Sequence, residues 1–210
     1  MALLRTRARD VVLEEPFTAE AVRGLSVGDV VRISGTVFTA RDAVHKYLFE
    51  GGRPPVSLKN SIIYHCGPVM IKQRNVPFRR SFGGGGWAVK AAGPTTSARE
   101  EPYMPRLIER FGIRAIIGKG GMGPGTLEAC AKFGCVYLSA VGGAAQVLAA
   151  SIKEVKNVYM LEEFGSAEAI WEFRVEDFPT IVTMDTRGRS LHAEVLADSE
   201  KRRLTLERSK

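Results

Sequence analysis

The stretch EPYMPRLIERFGIRAIIGKGGMGPGTLEACAKFGCVYLSAVGGAAQVLAASI, residues 101–152, decides the fold class. Glu101–Phe111 reads as a helix, and the apolar, β-branched run Ile113–Ile117 that follows has the length of a buried strand. The same rhythm repeats as helix over Thr126–Phe133, strand over Val136–Ala140 and helix over Gly143–Ile152. Strands alternating with crossover helices predict an α/β architecture with parallel strands. Gly134–Ile152 carries no charge, yet Gly142, Gly143, Ser139, Gln146 and Ser151 interrupt it. Strand, turn and packed helix fit that run better than a membrane span.

Outward from this core the chain is richer in strands. Before it, Val11–Leu13, Asp29–Phe38, Ser61–Cys66 and Trp87–Ala92 read as strands set between Gly and Pro punctuation. The best early helix is Ala40–Glu50, where Ala43, Val44, Tyr47 and Leu48 recur at helical spacing before Gly51-Gly52. Arg41 and His45 share a face of it. After Val158, strands are expected at Ile170–Val175, Thr180–Thr183 and Ser190–Val195. Residues 1–197 then form one domain, strand-rich flanks around an α/β core, and 198–210 a charged, exposed tail.

The chain has 210 residues, 45% apolar and 25% charged, the balance of a globular protein able to bury a sizeable core. Its formal charge of +7 is local. It sits in Arg5, Arg7 and Arg9 and in Lys72, Arg74, Arg79 and Arg80, and the remaining 23 Lys/Arg match the 23 Asp/Glu. No aromatic-interleaved RNA motif or helix-turn-helix accompanies those segments, so they read as a solvated arm and a basic loop running into Gly83–Gly86; nucleic acid is not the expected partner. Cys66, Cys130 and Cys135 form no CxxC pair and no metal-ligand spacing. Without a disulfide framework or a secretory segment after Met1, the expected compartment is the cytoplasm.

Three segments place single polar groups among small residues, as loops over a rigid sheet do. In Ser34–Asp42 a strand end delivers Arg41 to a helix start, where it either meets an anion or stays solvated beside the helix-terminal charge Asp42. In Ala91–Arg99, Thr96 or Ser97 as an N-cap would leave backbone N–H groups to converge with Arg99 on a carboxylate; an ordinary cap with an exposed Arg is the alternative. Gly118–Thr126 has five glycines in eight positions, suited to turning N–H groups toward an anion, with Lys119 as a point charge. Its spacing is neither a P-loop nor GxGxxG.

Taken in order, TxRDxxHK (Thr39–Lys46), GPTTSxR (Gly93–Arg99), GKGGM (Gly118–Met122) and AVGGAA (Ala140–Ala145) resemble the β subunit, or C-terminal domain, of the class I fumarase and L(+)-tartrate dehydratase family. The likeness spans about Leu13 to Pro179, and Ile71–Gly86 departs from it as a longer, basic, glycine-rich stretch.

The resemblance implies a swivelling β/β/α domain that works against a separate α subunit, in an α2β2 assembly, with a [4Fe–4S] cluster held by that partner. It implies reversible hydration of fumarate to (S)-malate or dehydration of L(+)-tartrate to oxaloacetate. Arg41, Arg99 and Lys119 match the family's carboxylate-binding positions, and Thr95 matches the hydroxyl near the carbon that gives up its proton. His45 reads as a packing histidine behind the site and Cys66 as buried structure. Two rival readings stay open on the residues alone: an anion- or RNA-binding module, and a cofactor-independent isomerase or lyase.

Overall fold

The computed structural model describes residues 8–73 and 86–208. In chain order the elements are β1 (Asp10–Glu14), α1 (Ala19–Arg23), β2 (Val30–Thr39), α2 (Asp42–Phe49), β3 (Ile62–Tyr64), β4 (Val69–Lys72) and β5 (Trp87–Ala91). A 3₁₀ turn, Ser97–Glu100, leads to α3 (Met104–Phe111), β6 (Ala115–Gly118), α4 (Pro124–Phe133) and β7 (Val136–Ser139). Then come α5 (Ala145–Ala150), β8 (Ile152–Tyr159), α6 (Leu161–Phe164), β9 (Ile170–Met184) and α7 (Leu191–Arg208).

The strands of the expected α/β core are parallel: β2, β3, β6 and β7 run side by side, with β1 parallel on the outer side of β2. The long strand β9 runs antiparallel to β7 and also to β2, so that β2–β3–β6–β7–β9 closes into a ring; β8 pairs with β9 outside it. A separate ribbon, β4–β5, completes the strand-rich part.

Strand alternation sorts the apolar residues into two layers. Ile62, Tyr64, Ala115, Ile117, Val136 and Leu138 belong to one core together with Trp171, Phe173 and Val182. Their neighbours Ile63, Ile116 and Tyr137 face the other way, into a second core that α2, α3 and α4 cover with Val44, Leu48, Leu107, Ile108 and Cys130. Helices α3 and α4 carry proline in the first turn and stop at Gly112 and Gly134, both left-handed (φ +66° and +73°), which spares a Cβ its steric penalty.

Several expected elements differ. Ser190–Val195 is not a strand: Ser190 Oγ accepts the Ala193 N–H at 3.3 Å and the chain enters α7, which runs through the charged segment expected as a tail. That helix is laced on its exposed surface by Asp198–Arg202, Glu200–Arg203 and Arg203–Glu207 pairs. Ile170–Val175 and Thr180–Thr183 are one strand, bent where Asp177 adopts φ +48° and the β2 register shifts between Ile33 and Gly35. Helix α5 is shorter than Gly143–Ile152 because Ile152 already begins β8. Neither α1, β4 nor β8 was anticipated. Arg9 is not part of a solvated arm but is paired with Asp29. Arg5, Arg7, Arg74, Arg79, Arg80 and Gly83–Gly85 lie outside the described residues.

Candidate functional site

Parallel strands end together. Thr39 on β2 is level with Tyr64 on β3, which is level with Ile117 on β6, so the residues just beyond, Arg41, His65 and Lys119, emerge on one edge of the sheet. The segment 93–99 is laid across that edge by its backbone. The Thr95 N–H donates to the His65 carbonyl (2.7 Å), the Lys119 N–H to the Thr95 carbonyl (3.2 Å) and the Ser97 N–H to the Lys119 carbonyl (3.0 Å). The fourth motif segment joins through the Ala92 N–H, 3.0 Å from the Ala145 carbonyl, and a Cβ on Gly142 would sit 3.5 Å from Lys119 Cδ. All four motif stretches thus meet at the carboxyl ends of the parallel strands.

The side chains group accordingly. Arg41 lies over Gly67, where a Cβ would come within 2.6 Å of its Nη1, and it faces Glu168 (3.5 Å) and Asp42 (4.0 Å). Arg99 is exposed, and its Nε and Nη2 donate side-on to the two oxygens of Asp42 at 3.1 Å each. That leaves the end-on edge of the guanidinium for another anion. The Lys119 ammonium has no ion-pair partner among the described residues, and Asp42 ties Arg41 and Arg99 together.

Behind this surface lies a buried polar stack. Tyr137 donates to Ser97 Oγ (2.8 Å), Ser97 Oγ lies 2.8 Å from His65 Nδ1, and the His65 ring meets His45 edge to face at 4.9 Å. His45 Nδ1 bonds the Arg41 carbonyl at 2.8 Å and stands 3.5 Å from Glu100 Oε2. Burial lowers His45 to about 4 and His65 well below the ordinary histidine value, so both rings are neutral near pH 7. Gly118 makes room for the stack, since a Cβ there would collide with Ser97 Oγ.

Among the described residues, five buried side-chain atoms lack any hydrogen-bond partner: Arg41 Nε, His65 Nε2, Thr95 Oγ1 and both oxygens of Glu100. All belong to this edge. Unsatisfied buried polar groups are rare in folded proteins and concentrate where a ligand or a proton completes them.

Arg41, Thr95, Arg99 and Lys119, singled out in the sequence, are therefore brought together, and His45 lies behind them as expected. Asp42 does more than charge a helix terminus. Glu100, His65, Tyr137 and Glu168 were missed, and Ser97 was read as a cap and not as part of the buried stack; the only signal for Glu100 was its place beside Arg99.

Two local expectations fail. Neither Thr96 nor Ser97 caps with its side chain; Thr96 precedes a four-residue 3₁₀ turn and the Ser97 N–H is spent on Lys119. The glycine segment does turn N–H groups toward an anion, but the anion is internal: Glu101 accepts from the Gly123 and Thr126 N–H groups (2.8 and 3.0 Å) and from the Thr126 hydroxyl (2.6 Å).

The cysteines do not fit an iron–sulfur cluster. Cys66 lies in the first core while Cys130 and Cys135 lie in the second, and all are buried and free. Burial pushes the Cys66 thiol up to about 12, so it is inert, as expected of a structural cysteine. Among the described residues no helix is long and apolar enough to cross a membrane.

Comparison with known proteins agrees with the motifs. The chain is 52% identical over 195 residues to a Geobacillus stearothermophilus protein provisionally named fumarate hydratase class I; the match covers 93% of this chain but only 36% of that protein. It is 42% identical over 184 residues to a Methanocaldococcus jannaschii protein provisionally named L(+)-tartrate dehydratase subunit beta, covering 85% of this chain and 89% of the relative. It is 38% identical over 185 residues to the L(+)-tartrate dehydratase subunit beta of Escherichia coli K12, covering 87% of each. With residues 3–195 also matching the model of the family described as Fumarase C-terminus, the chain belongs to that family.

Proposed function

We propose that this chain is the β component of a hydro-lyase that adds water reversibly to fumarate to give (S)-malate. The observation that supports the reading best is the confinement of every buried side-chain polar atom without a hydrogen bond, among the described residues, to the edge where Arg41, Thr95, Arg99 and Lys119 meet. A dicarboxylate carries two negative charges and gains more as a proton leaves the carbon beside a carboxylate. Arg41, Arg99 and Lys119 bind those charges and tighten as they develop, and preorganised cations of this kind lower a barrier by several kcal/mol. The Thr95 hydroxyl takes or positions the carbon-bound proton, with Arg99 and Lys119 stabilising negative charge on its oxygen.

In this reading an α subunit, in an α2β2 assembly, holds a [4Fe–4S] cluster that serves as Lewis acid toward the hydroxyl. The chain forms a swivelling β/β/α domain and works in the cytoplasm. The relatives also name a second substrate: two of them bear the name of an L(+)-tartrate dehydratase subunit beta. Dehydration of L(+)-tartrate uses the same cations.

The test is anaerobic mixing with a cysteine-bearing chain of α-subunit type, following loss of fumarate and formation of oxaloacetate from tartrate. Turnover is expected only in the mixture, and the ratio of the two rates assigns the substrate. Stoichiometric cluster assembly and turnover by this chain alone would overturn the two-component reading.

A further inference from the structure

Glu100 is fully buried, yet neither carboxyl oxygen receives a hydrogen bond from any described residue. His45 Nδ1 stands 3.5 Å from Oε2 but is already engaged with the Arg41 carbonyl at 2.8 Å. Asp42, a second carboxyl group, faces Glu100 as a side-chain hydrogen-bond partner whose charge also raises the Glu100 pKa. Two carboxylates cannot bond to each other; a carboxylic acid and a carboxylate can. Asp42 accepts the Arg99 fork and faces Arg41, so it is the ionised member, and the proton belongs on the buried one.

Resting on the reading above, we propose that Glu100 is a positioning residue that keeps its proton: its O–H donates to Asp42 and fixes the carboxylate from which Arg99 and Arg41 are presented to a dicarboxylate. The acid fills an Asp42 lone pair from the protein side and leaves the guanidinium edges turned toward ligand. Loss of that proton to solvent places a second anion against Asp42, with Glu168 nearby. Arg99 is then drawn inward, and one substrate cation is neutralised by the protein itself.

The surroundings agree. Burial, then the Asp42 carboxylate, push Glu100 up to about 8; Arg99 opposes and Glu168 adds to the rise. From α2 the facing groups are Asp42 and a neutral His45, from its own turn Arg99, and from the segment before β9 Glu168, with His65 behind His45. One cation among these does not offset the two carboxylates and the lost hydration.

The full-length chain labelled with ¹³C at glutamate carboxyls gives a direct readout by NMR titration. One carboxyl should titrate near pH 8, well apart from the rest, disappear in Glu100→Gln, and move to lower pH in Asp42→Asn. Absence of a late-titrating carboxyl overturns the proposal, as does one that ignores Asp42→Asn. The Asp42→Asn arm serves if Glu100→Gln does not fold.

In the enzyme assembled with its α subunit, kcat/KM should fall on the alkaline side of that titration, and Glu100→Gln should remove this limb. An identical limb in the variant overturns the positioning role while the hydro-lyase reading stands. A late carboxyl that responds to Asp42 in a chain without hydro-lyase activity upholds the acid–carboxylate pair while the hydro-lyase reading falls.

Discussion

The two ends of β2 treat buried charge in opposite ways. Just before the strand, Asp29 accepts both Arg9 nitrogens facing it and the Ser26 N–H (2.8 Å). Burial alone pushes that carboxyl up, and these bonds outweigh it, holding it below the ordinary value. Nearby, fully buried Asp185 accepts the Val27, Arg187 and Arg189 N–H groups at 3.0–3.2 Å. At the other end, the Glu100 carboxyl accepts no hydrogen bond, and Arg41, Thr95 and His65 each leave a side-chain atom without one. The fold can satisfy a buried carboxylate completely. Its incompleteness at one edge is what supports the proposal of a ligand site there.

The comparison breaks most visibly at Asp185. Asp185→Ala removes a buried acceptor shared by three backbone N–H groups and should destabilise the chain by about 3 kcal/mol, read by urea unfolding. Glu100→Gln under the same conditions should cost far less, and equal losses would erase the distinction between the two ends.

Next in size is Thr95→Val, which keeps the shape and deletes an unpartnered hydroxyl. In the assembled enzyme kcat should fall on the order of 10²-fold or more with KM nearly kept, while stability holds or rises slightly. Exchange of the carbon-bound proton with deuterated solvent should be lost as well. Exchange at the wild-type rate would move the proton to another group. Arg99→Lys keeps a charge but not the fork that grips Asp42 side-on and, in the proposed function, a ligand end-on, and should lower kcat/KM on the order of 10-fold. An unaffected rate would remove Arg99 from the site.

The smallest effect is a slope. Glu100 sits near 8 against an ordinary 4.5, so the unfolded chain gives up this proton first and stability from the group is lost as pH climbs toward about 8. His45 sits near 4 against 6.5, so its stability is lost as pH falls below 6.5. Between pH 6.5 and about 8 only the Glu100 decline of this pair remains. Glu100→Gln should flatten the melting temperature over that window, and an unchanged decline would show that Glu100 is ionised throughout.

What could be read in the sequence follows from the range of the forces involved. The parallel core was legible because strand and helix periods are local, and the motif segments because they keep their order along the chain. Glu100 beside Asp42 was not, because the pairing depends on strand ends lining up across 57 residues for the neighbouring Arg99–Asp42 contact. The unity of β9 was hidden by Pro179 and by the bend at Asp177, which look like a break in a lone strand but are tolerated where β2 shifts register. The helix over Leu191–Arg208 is amphipathic in neither sense, so its first residues passed for a strand and its remainder for a tail.

The closure of the ring by β9 orders events in time. Val30 pairs with Ile181 and Phe38 with Glu172, joining the second strand of the chain to its last. Loops of that length close late, since their entropy must be overcome before the contacts reward it. Thr39, two residues before Arg41, donates to the Ala169 carbonyl (3.1 Å) and accepts the Trp171 N–H (2.9 Å). A ribosome-bound chain that has emerged only through α5 already contains Arg41, Thr95, Arg99 and Lys119, but not the strand that fixes where the first of them stands. Competence therefore arrives with the final strand, and an interrupted synthesis yields a fragment holding every expected site residue without the complete frame that aligns them.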